Sequence, residues 1–292
     1  MALELKPLTP NIGADASGLD LRRPLDAADI AAIDAALDRY AVLVFRDQPM
    51  SQAEQVACAR QFGPLDAGLR KATGAATRFQ HEELIDISNL ALDGSLADRD
   101  NARLIGALAN QLWHSDSSFQ PLPIKYSMLS AVALPAQGGD TEWADLRAAW
   151  DALPEDLRCE VAGRSARHST FHSRIMLGDD QYTAGQLNRF PPVEWPLVRT
   201  HPGSGRKLLF VGVHCDQVSG MSVPEGRMLI ADLIEHATQR QFVYRHQWRA
   251  GDYVMWDNRS TLHRGRRYDL AARRDLRRTT TLERAAAPAL ST

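Results

Sequence analysis

Two of the nine histidines open a His-x-Asp triplet, His114-Ser-Asp116 and His214-Cys-Asp216, and His263 lies well downstream of both. Two imidazoles and one carboxylate on one side of a metal leave three coordination positions open, which suits Fe(II). A bidentate 2-oxo acid and O2 together would fill those three positions. On a strand, His and Asp two residues apart share a face, because successive side chains alternate. The triplet alone is weak: nine histidines give on the order of one by chance. A single strand histidine is also more often a hydrogen-bonded structural residue than a ligand. Spacing leaves both pairs open as partners of His263, with the first preferred. Trp113-His-Ser-Asp-Ser-Ser118 surrounds its ligand types with small hydroxyl residues, whereas Asp216 is expected to begin a turn out of its strand.

The distal side carries more signal. Trp248, Gly251-Asp252 and Trp256-Asp-Asn-Arg259 lead to His263, and Arg274 and Arg278 follow. If His263 binds a metal, a nearby arginine suits the far end of a dicarboxylate, through a forked and permanently charged donor set. The bland alternative for Arg264–Arg284 is a solvated basic face, with eight arginines against Asp269, Asp275 and Glu283. Only Tyr268 interleaves them as a stacking aromatic, so no nucleic-acid partner is expected.

These residues need strands to aim them, and the pattern supplies strands. Asp26–Tyr40 reads as a surface helix feeding the β run Ala41–Phe45, and Ser51-Gln-Ala-Glu54 is a capping box opening a second helix. Strands are expected at Leu84–Ser88, Tyr126–Leu134, Trp195–His201, Lys207–His214, Phe242–Trp248, Tyr253–Trp256 and near Arg278–Leu282. Pro202–Arg206 would form a hairpin connection. Asp145 is expected to cap Leu146–Leu153, and Pro224 to stand first in a helix reaching about Thr238. Many short strands and few helices predict a mostly β fold with helical insertions, built on a double-stranded β-helix (jelly-roll) core. Regular strand–helix alternation and a glycine-rich phosphate loop are both missing.

The composition agrees. The chain has 292 residues, 44% hydrophobic and 24% charged, with a formal net charge of −2. That profile excludes collagen-like, coiled-coil and largely disordered chains. No apolar run approaches the roughly 20 residues of a membrane span, and the N-terminus lacks a signal design. Three widely spaced cysteines, Cys58, Cys159 and Cys215, fit a reducing cytoplasm. No linker or repeat divides the chain, so residues 1–292 read as one domain. The basic residues are four lysines and thirty arginines, mostly compositional background.

With these motifs in view, the sequence resembles the taurine dioxygenase-like family of Fe(II)/2-oxoglutarate oxygenases over nearly its whole length. The likeness is densest in Asn110–Gln120, Gly138-Gly-Asp-Thr-Glu142, Trp195–His201, His236–Arg240, Trp256–Arg259 and Leu262–Asp269. The resemblance implies that His114, Asp116 and His263 hold Fe(II). It also implies that Arg274, helped by Thr141, grips the far carboxylate of 2-oxoglutarate, with Trp256 walling that site. Arg278 matches the arginine for the substrate's own anion, and Asn110 and Ser117 match pocket positions. Lys71 sits in a long loop that could reach the substrate carboxylate. The chain departs from the pattern at Gln217, where a further histidine is expected, and at Arg70 and Thr73–Ala76. These departures bear on pocket shape.

The implied activity consumes 2-oxoglutarate and O2 and hydroxylates a small organic anion. An aryloxyalkanoate attacked beside its ether oxygen would give a phenol and, when it is an aryloxyacetate, glyoxylate, with succinate and CO2. A carboxylate at Asp116 favours hydroxylation over halogenation. The rivals are an alkylsulfonate or alkylsulfate dioxygenase with the same iron site, and a jelly-roll binding protein holding a metal structurally. A cytoplasmic homo-oligomer is expected.

Overall fold

Val42–Phe45 is buried on both faces, so its strand must lie inside a sheet with a packed layer on either side. The computed structural model, which describes residues 2–66 and 76–283, shows what those layers are. In chain order the strands are β1 (Glu4–Pro7), β2 (Ala14–Ser17), β3 (Val42–Phe45), β4 (Ile85–Ser88) and β5 (Ile124–Ala133). They continue as β6 (Thr141–Asp145), β7 (Ser165–His168), β8 (Val193–Pro196), β9 (Val198–Thr200) and β10 (Lys207–Leu209). The last are β11 (Cys215–Val218), β12 (Val243–His246), β13 (Tyr253–Asp257), β14 (Thr261–Gly265) and β15 (Asp275–Leu282).

A seven-stranded sheet runs in the order β1-β2-β3-β13-β5-β15-β4, and a three-stranded sheet in the order β12-β6-β14 faces it. Alternation along the strands sorts the core. Val42, Val44, Leu129, Val254, Trp256 and Leu276 point inward and meet Trp143 and Tyr244 of the smaller sheet. Leu43, Phe45, Met128, Tyr253 and Met255 point outward and meet Ile33 and Leu37 of the helix Ala27–Tyr40. Behind the small sheet, the helix Val223–Ala237 packs Leu229, Ile230 and Leu233 against Leu208, Leu209 and Leu262. Two facing antiparallel-rich sheets with helices outside form the expected jelly roll.

Local signals placed most elements. Asp26 caps the first helix by accepting from Asp29 N at 2.8 Å. The Ser51 and Ser222 capping boxes are both formed. Asp145 accepts from Arg147 N and Ala148 N and opens Leu146–Asp151. Pro224 stands second rather than first in its helix, after Val223.

Two expectations need correction. The stretch Trp195–His201 is not one strand: it breaks at Leu197 because β8 pairs with β7 and β9 pairs with β10. Lys207–His214 also stops short, at Leu209, and His214 lies in a turn.

Candidate active site

His114 and His263 meet through the backbone. His114 N donates to His263 O at 3.0 Å and His263 N donates to His114 O at 2.8 Å. Directly opposed residues of such an antiparallel bridge share a face, and the two imidazole centroids stand 4.1 Å apart. Ser115 turns away and donates to Thr261 O. Asp116 therefore returns to the imidazole side, with Oδ2 at 3.7 Å from His263 Nε2. One ligand atom from each of His114, Asp116 and His263 falls within 4.8 Å of the others.

The expected strand around His114 is only this single bridge, because Asp116 starts a turn with Ser117 in the left-handed region at φ 50°. The second triplet goes elsewhere. Asp216 lies within β11, so the turn precedes it at His214 rather than following it. Its carboxylate is forked by Arg167, at 2.7 and 3.0 Å. His214 packs edge-on against Phe119.

The donor chemistry fits a divalent metal. His114 Nδ1 lies 2.8 Å from Leu112 O, so the proton sits on Nδ1 and the Nε2 lone pair is free. Burial pushes both His114 and His263 below the usual imidazole range, keeping them neutral. For Asp116 burial works upward. The Arg278 guanidinium, helped by the Ser127 hydroxyl, overcomes it and holds the carboxyl well below the carboxylate range. Two neutral imidazoles and one carboxylate are the protonation states a metal requires.

A second cluster among the described residues, Asp38, His201 and Asp257, has similar spacing. There, however, Arg259 engages both Asp257 oxygens, with Nε at 2.9 Å and Nη2 at 2.6 Å. Arginine already occupies the position a cation would take.

Beside the bridge lies a cavity of about 160 Å³, whose lining includes His114, His263, Asn110, Thr141, Trp256, Arg274 and Arg278. Thr141 Oγ1 accepts from Trp248 Nε1 at 3.0 Å, which leaves its own hydroxyl proton to donate. Trp256 is buried, with its ring 4.9 Å from that of His263.

Arg274 is 7% exposed and makes no ion pair with any described residue. Its Nη2 donates to Gly139 O at 3.1 Å and its Nη1 to Ile87 O at 3.3 Å, while buried Nε has no partner among the described residues. Gly139 has φ +74°, and a Cβ there would stand 3.0 Å from Arg274 Nε. A glycine is what admits the guanidinium. Arg278, two alternations along β15, reaches Asp116 Oδ1 through Nη1.

Ser117 lies outside the cavity lining, in the turn after Asp116. Lys71, like Arg70 and Thr73, lies outside the described residues. Arg103 and Leu108, which carry no signal in the sequence, also line the cavity, as does Tyr268, marked there only as an aromatic among arginines. Arg103 donates to Ser88 O and Leu90 O, a placement that depends on a folded loop and leaves no trace in spacing.

Comparison with known proteins was decisive. The family described as "Taurine catabolism dioxygenase TauD, TfdA family" matches residues 4–280. The chain belongs to that family. It is thus an enzyme of the dioxygenase class, and the Fe(II), 2-oxoglutarate and O2 requirement expected from sequence is the family's own. Over 97% of its length it is 56% identical to the alpha-ketoglutarate-dependent 2,4-dichlorophenoxyacetate dioxygenase of Cupriavidus pinatubonensis, covering 99% of that protein. It is 38% identical to the (S)-phenoxypropionate/alpha-ketoglutarate-dioxygenase of Sphingobium herbicidovorans, covering 94% of this chain and 92% of that one. The crystal structure of AAD-2 in complex with Mn(II) and N-oxalylglycine superposes with a TM-score of 0.93 at 44% identity, over 97% of this chain and 99% of that one.

Proposed function

We propose that this chain is an Fe(II)- and 2-oxoglutarate-dependent dioxygenase acting on aryloxyalkanoates such as 2,4-dichlorophenoxyacetate. Hydroxylation beside the ether oxygen makes a hemiacetal or hemiketal that collapses to a phenol and a 2-oxo acid, glyoxylate when the substrate is an aryloxyacetate, while 2-oxoglutarate leaves as succinate and CO2. Residues 1–292 are read as one catalytic domain. The observation that carries the reading is Arg274, a buried guanidinium without a carboxylate partner among the described residues, lining the same cavity as His114 and His263, whose ligand atoms group with that of Asp116. An unpaired buried charge is strongly unfavourable, so a fold that keeps one is built around an anion that binds there.

In this reading His114 Nε2, Asp116 and His263 Nε2 hold Fe(II). When bound, the metal supplies O2 activation coupled to decarboxylation of the 2-oxo acid. Arg274 fixes the far carboxylate by a charge-assisted fork, and the Thr141 hydroxyl adds a second donor. Trp256 closes the wall and excludes water. Arg278 takes the substrate carboxylate, and Asn110 contributes to the same pocket. Ile87, Leu108 and Leu129 give the cavity apolar surface for an aryl ring.

Succinate release with Fe(II), 2-oxoglutarate and a panel of aryloxyacetates, aryloxypropionates, alkylsulfonates and alkylsulfates tests the assignment. Succinate and a phenol are expected from the aryloxy acids, and none from His114→Ala or Asp116→Ala. Turnover confined to the sulfur anions overturns the substrate class, and no oxidation of any member overturns the enzyme reading.

Compartment and assembly belong to the same proposal: a cytoplasmic homo-oligomer. Among the described residues no helix is long and apolar enough to cross a membrane, and all three cysteines are free. Ile105, Leu108, Ile175 and Met176 are apolar and exposed, a surface a second copy could cover.

A further inference from the structure

Asp116 is held by a chain of hydrogen bonds whose direction is set at its far end. Trp256 Nε1 can only donate, and it donates to Asn258 Oδ1 at 3.0 Å. That contact settles which way the Asn258 amide points. Its Nδ2 must then face Ser127 and donate to Ser127 Oγ at 2.7 Å. With a lone pair of Oγ taken, the Ser127 hydroxyl sends its proton to Asp116 Oδ2, also at 2.7 Å. Asn258 Oδ1 additionally accepts from the Asp116 backbone N at 3.3 Å, so one amide restrains both ends of the aspartate. Ser127, Trp256 and Asn258 are all at most 2% exposed, and no competing water reaches them from bulk.

Two donors pull on the Asp116 carboxylate from opposite sides. Arg278 takes Oδ1, and Ser127 takes Oδ2, the oxygen nearest His263. Without the Ser127 bond, the carboxylate would be free to rotate toward the guanidinium and away from the imidazoles.

We propose that Ser127 and Asn258 are positioning residues that fix the Asp116 carboxylate for metal binding, with Trp256 setting the polarity of the relay. The proposal rests on the metal-site assignment above. Its logic is directional: the amide of Asn258 both receives a proton and gives one, and an isosteric carboxylate cannot. In an Asn258→Asp chain the Ser127 hydroxyl is drawn to donate to residue 258 instead of to Asp116. Shape is conserved and polarity reversed.

The test is anaerobic titration of the parent chain, Ser127→Ala and Asn258→Asp with Co(II), followed by the d–d absorption of the bound metal and by calorimetry. Thermal unfolding of the metal-free proteins runs alongside. Partners of metal ligands commonly contribute 10- to 100-fold to affinity, so a loss of about tenfold or more is expected in each variant, with an altered d–d band. Ser127→Ala removes a single oxygen, so its metal-free melting temperature should stay near that of the parent and its metal data stand if Asn258→Asp fails to fold. Variants that bind Co(II) within about twofold of the parent, with an unchanged spectrum, overturn the relay and leave the metal site intact. A parent chain that binds no divalent metal overturns both assignments.

Discussion

At the scale of single residues, Arg278 is the side chain whose environment differs most from its expected duty. The resemblance assigns it to the substrate anion, yet it reaches Asp116 Oδ1, and its buried Nε has no partner among the described residues. Both facts are compatible, because a guanidinium offers five donors and one contact leaves most of the fork available. A substrate carboxylate arriving in the cavity would meet a cation already fixed in place by Asp116. Arg278→Ala should therefore act on the substrate rather than on the cosubstrate. A hydrogen bond to a charged group contributes about 1.5–3 kcal/mol, so the KM for the aryloxy acid should rise roughly 10- to 150-fold. The KM for 2-oxoglutarate, held at Arg274, should change little. Steady-state kinetics with each substrate varied in turn reads this directly. A larger effect on 2-oxoglutarate than on the aryloxy acid would exchange the two arginine assignments.

At the scale of elements, the turn joining β13 to β14 aims His263, and Asp257 anchors that turn. Its carboxylate accepts from Arg259 N at 2.8 Å and from the Arg259 fork, and lies 3.0 Å from His201 Nε2, tying the turn to the end of β9. Burial would raise the Asp257 pKa, but Arg259 and the His201 bond dominate and hold it well below the carboxylate range. A carboxyl depressed in the folded state contributes stability above its unfolded value, about pH 4, and loses it as pH falls further. Asp257→Asn should thus destabilise at neutral pH by about 3 kcal/mol, the low end of the cost of breaking a buried pair, since Arg259 loses its closest carboxylate but keeps Glu283 at 3.1 Å. The gap to the parent should narrow below about pH 4. Denaturant unfolding at several pH values checks both, and a gap independent of pH would refute the charge-based account. The same elements show what sequence can carry. The caps at Ser51 and Asp145 were legible because each satisfies backbone donors within three residues of itself, whereas the Ser222 box was hidden by Pro224, which looked like the first helical residue. The break at Leu197 was not, because it reflects which sheet each half joins, a choice made by strands far away in sequence. His114-Ser-Asp116 and His214-Cys-Asp216 looked alike in spacing. They were separated by long-range partners: the His263 bridge for the first and Arg167 for the second. Ser127 stood unmarked within a β run, and only its fold-dependent contacts with Asn258 and Asp116 reveal it.

At the scale of the whole molecule, a net charge of −2 averages over an interior that is far from neutral in places. The site draws Asp116 from a turn, Thr141 from β6, His263 from β14 and Arg278 from β15, so a ligand held there links both facing sheets. Arg274, just before β15, is the point where function and stability oppose each other. Burial pushes its pKa down, which expresses the cost of keeping that cation out of water, and no described carboxylate pairs with it. The ligand-free fold should therefore be less stable than one carrying an apolar side chain of similar length, whereas the liganded fold should gain from the guanidinium. Arg274→Met separates the two. Without ligand, the variant should melt at or above the parent temperature, because replacing a buried charge by a well-packed apolar group is often neutral or stabilising by about 1–4 kcal/mol. For the parent, Mn(II) with N-oxalylglycine at about 100 times its Kd should add roughly 2.7 kcal/mol, a rise of roughly 4 °C. In the variant the shift from Mn(II) alone should persist, and the increment from N-oxalylglycine should be lost. Calorimetric scans of both proteins, bare, with metal, and with metal plus N-oxalylglycine, measure every term. If bare Arg274→Met melts well below the parent, the bonds to the Gly139 and Ile87 carbonyls outweigh the desolvation of the guanidinium, and Arg274 is a structural strut before it is an anion clamp.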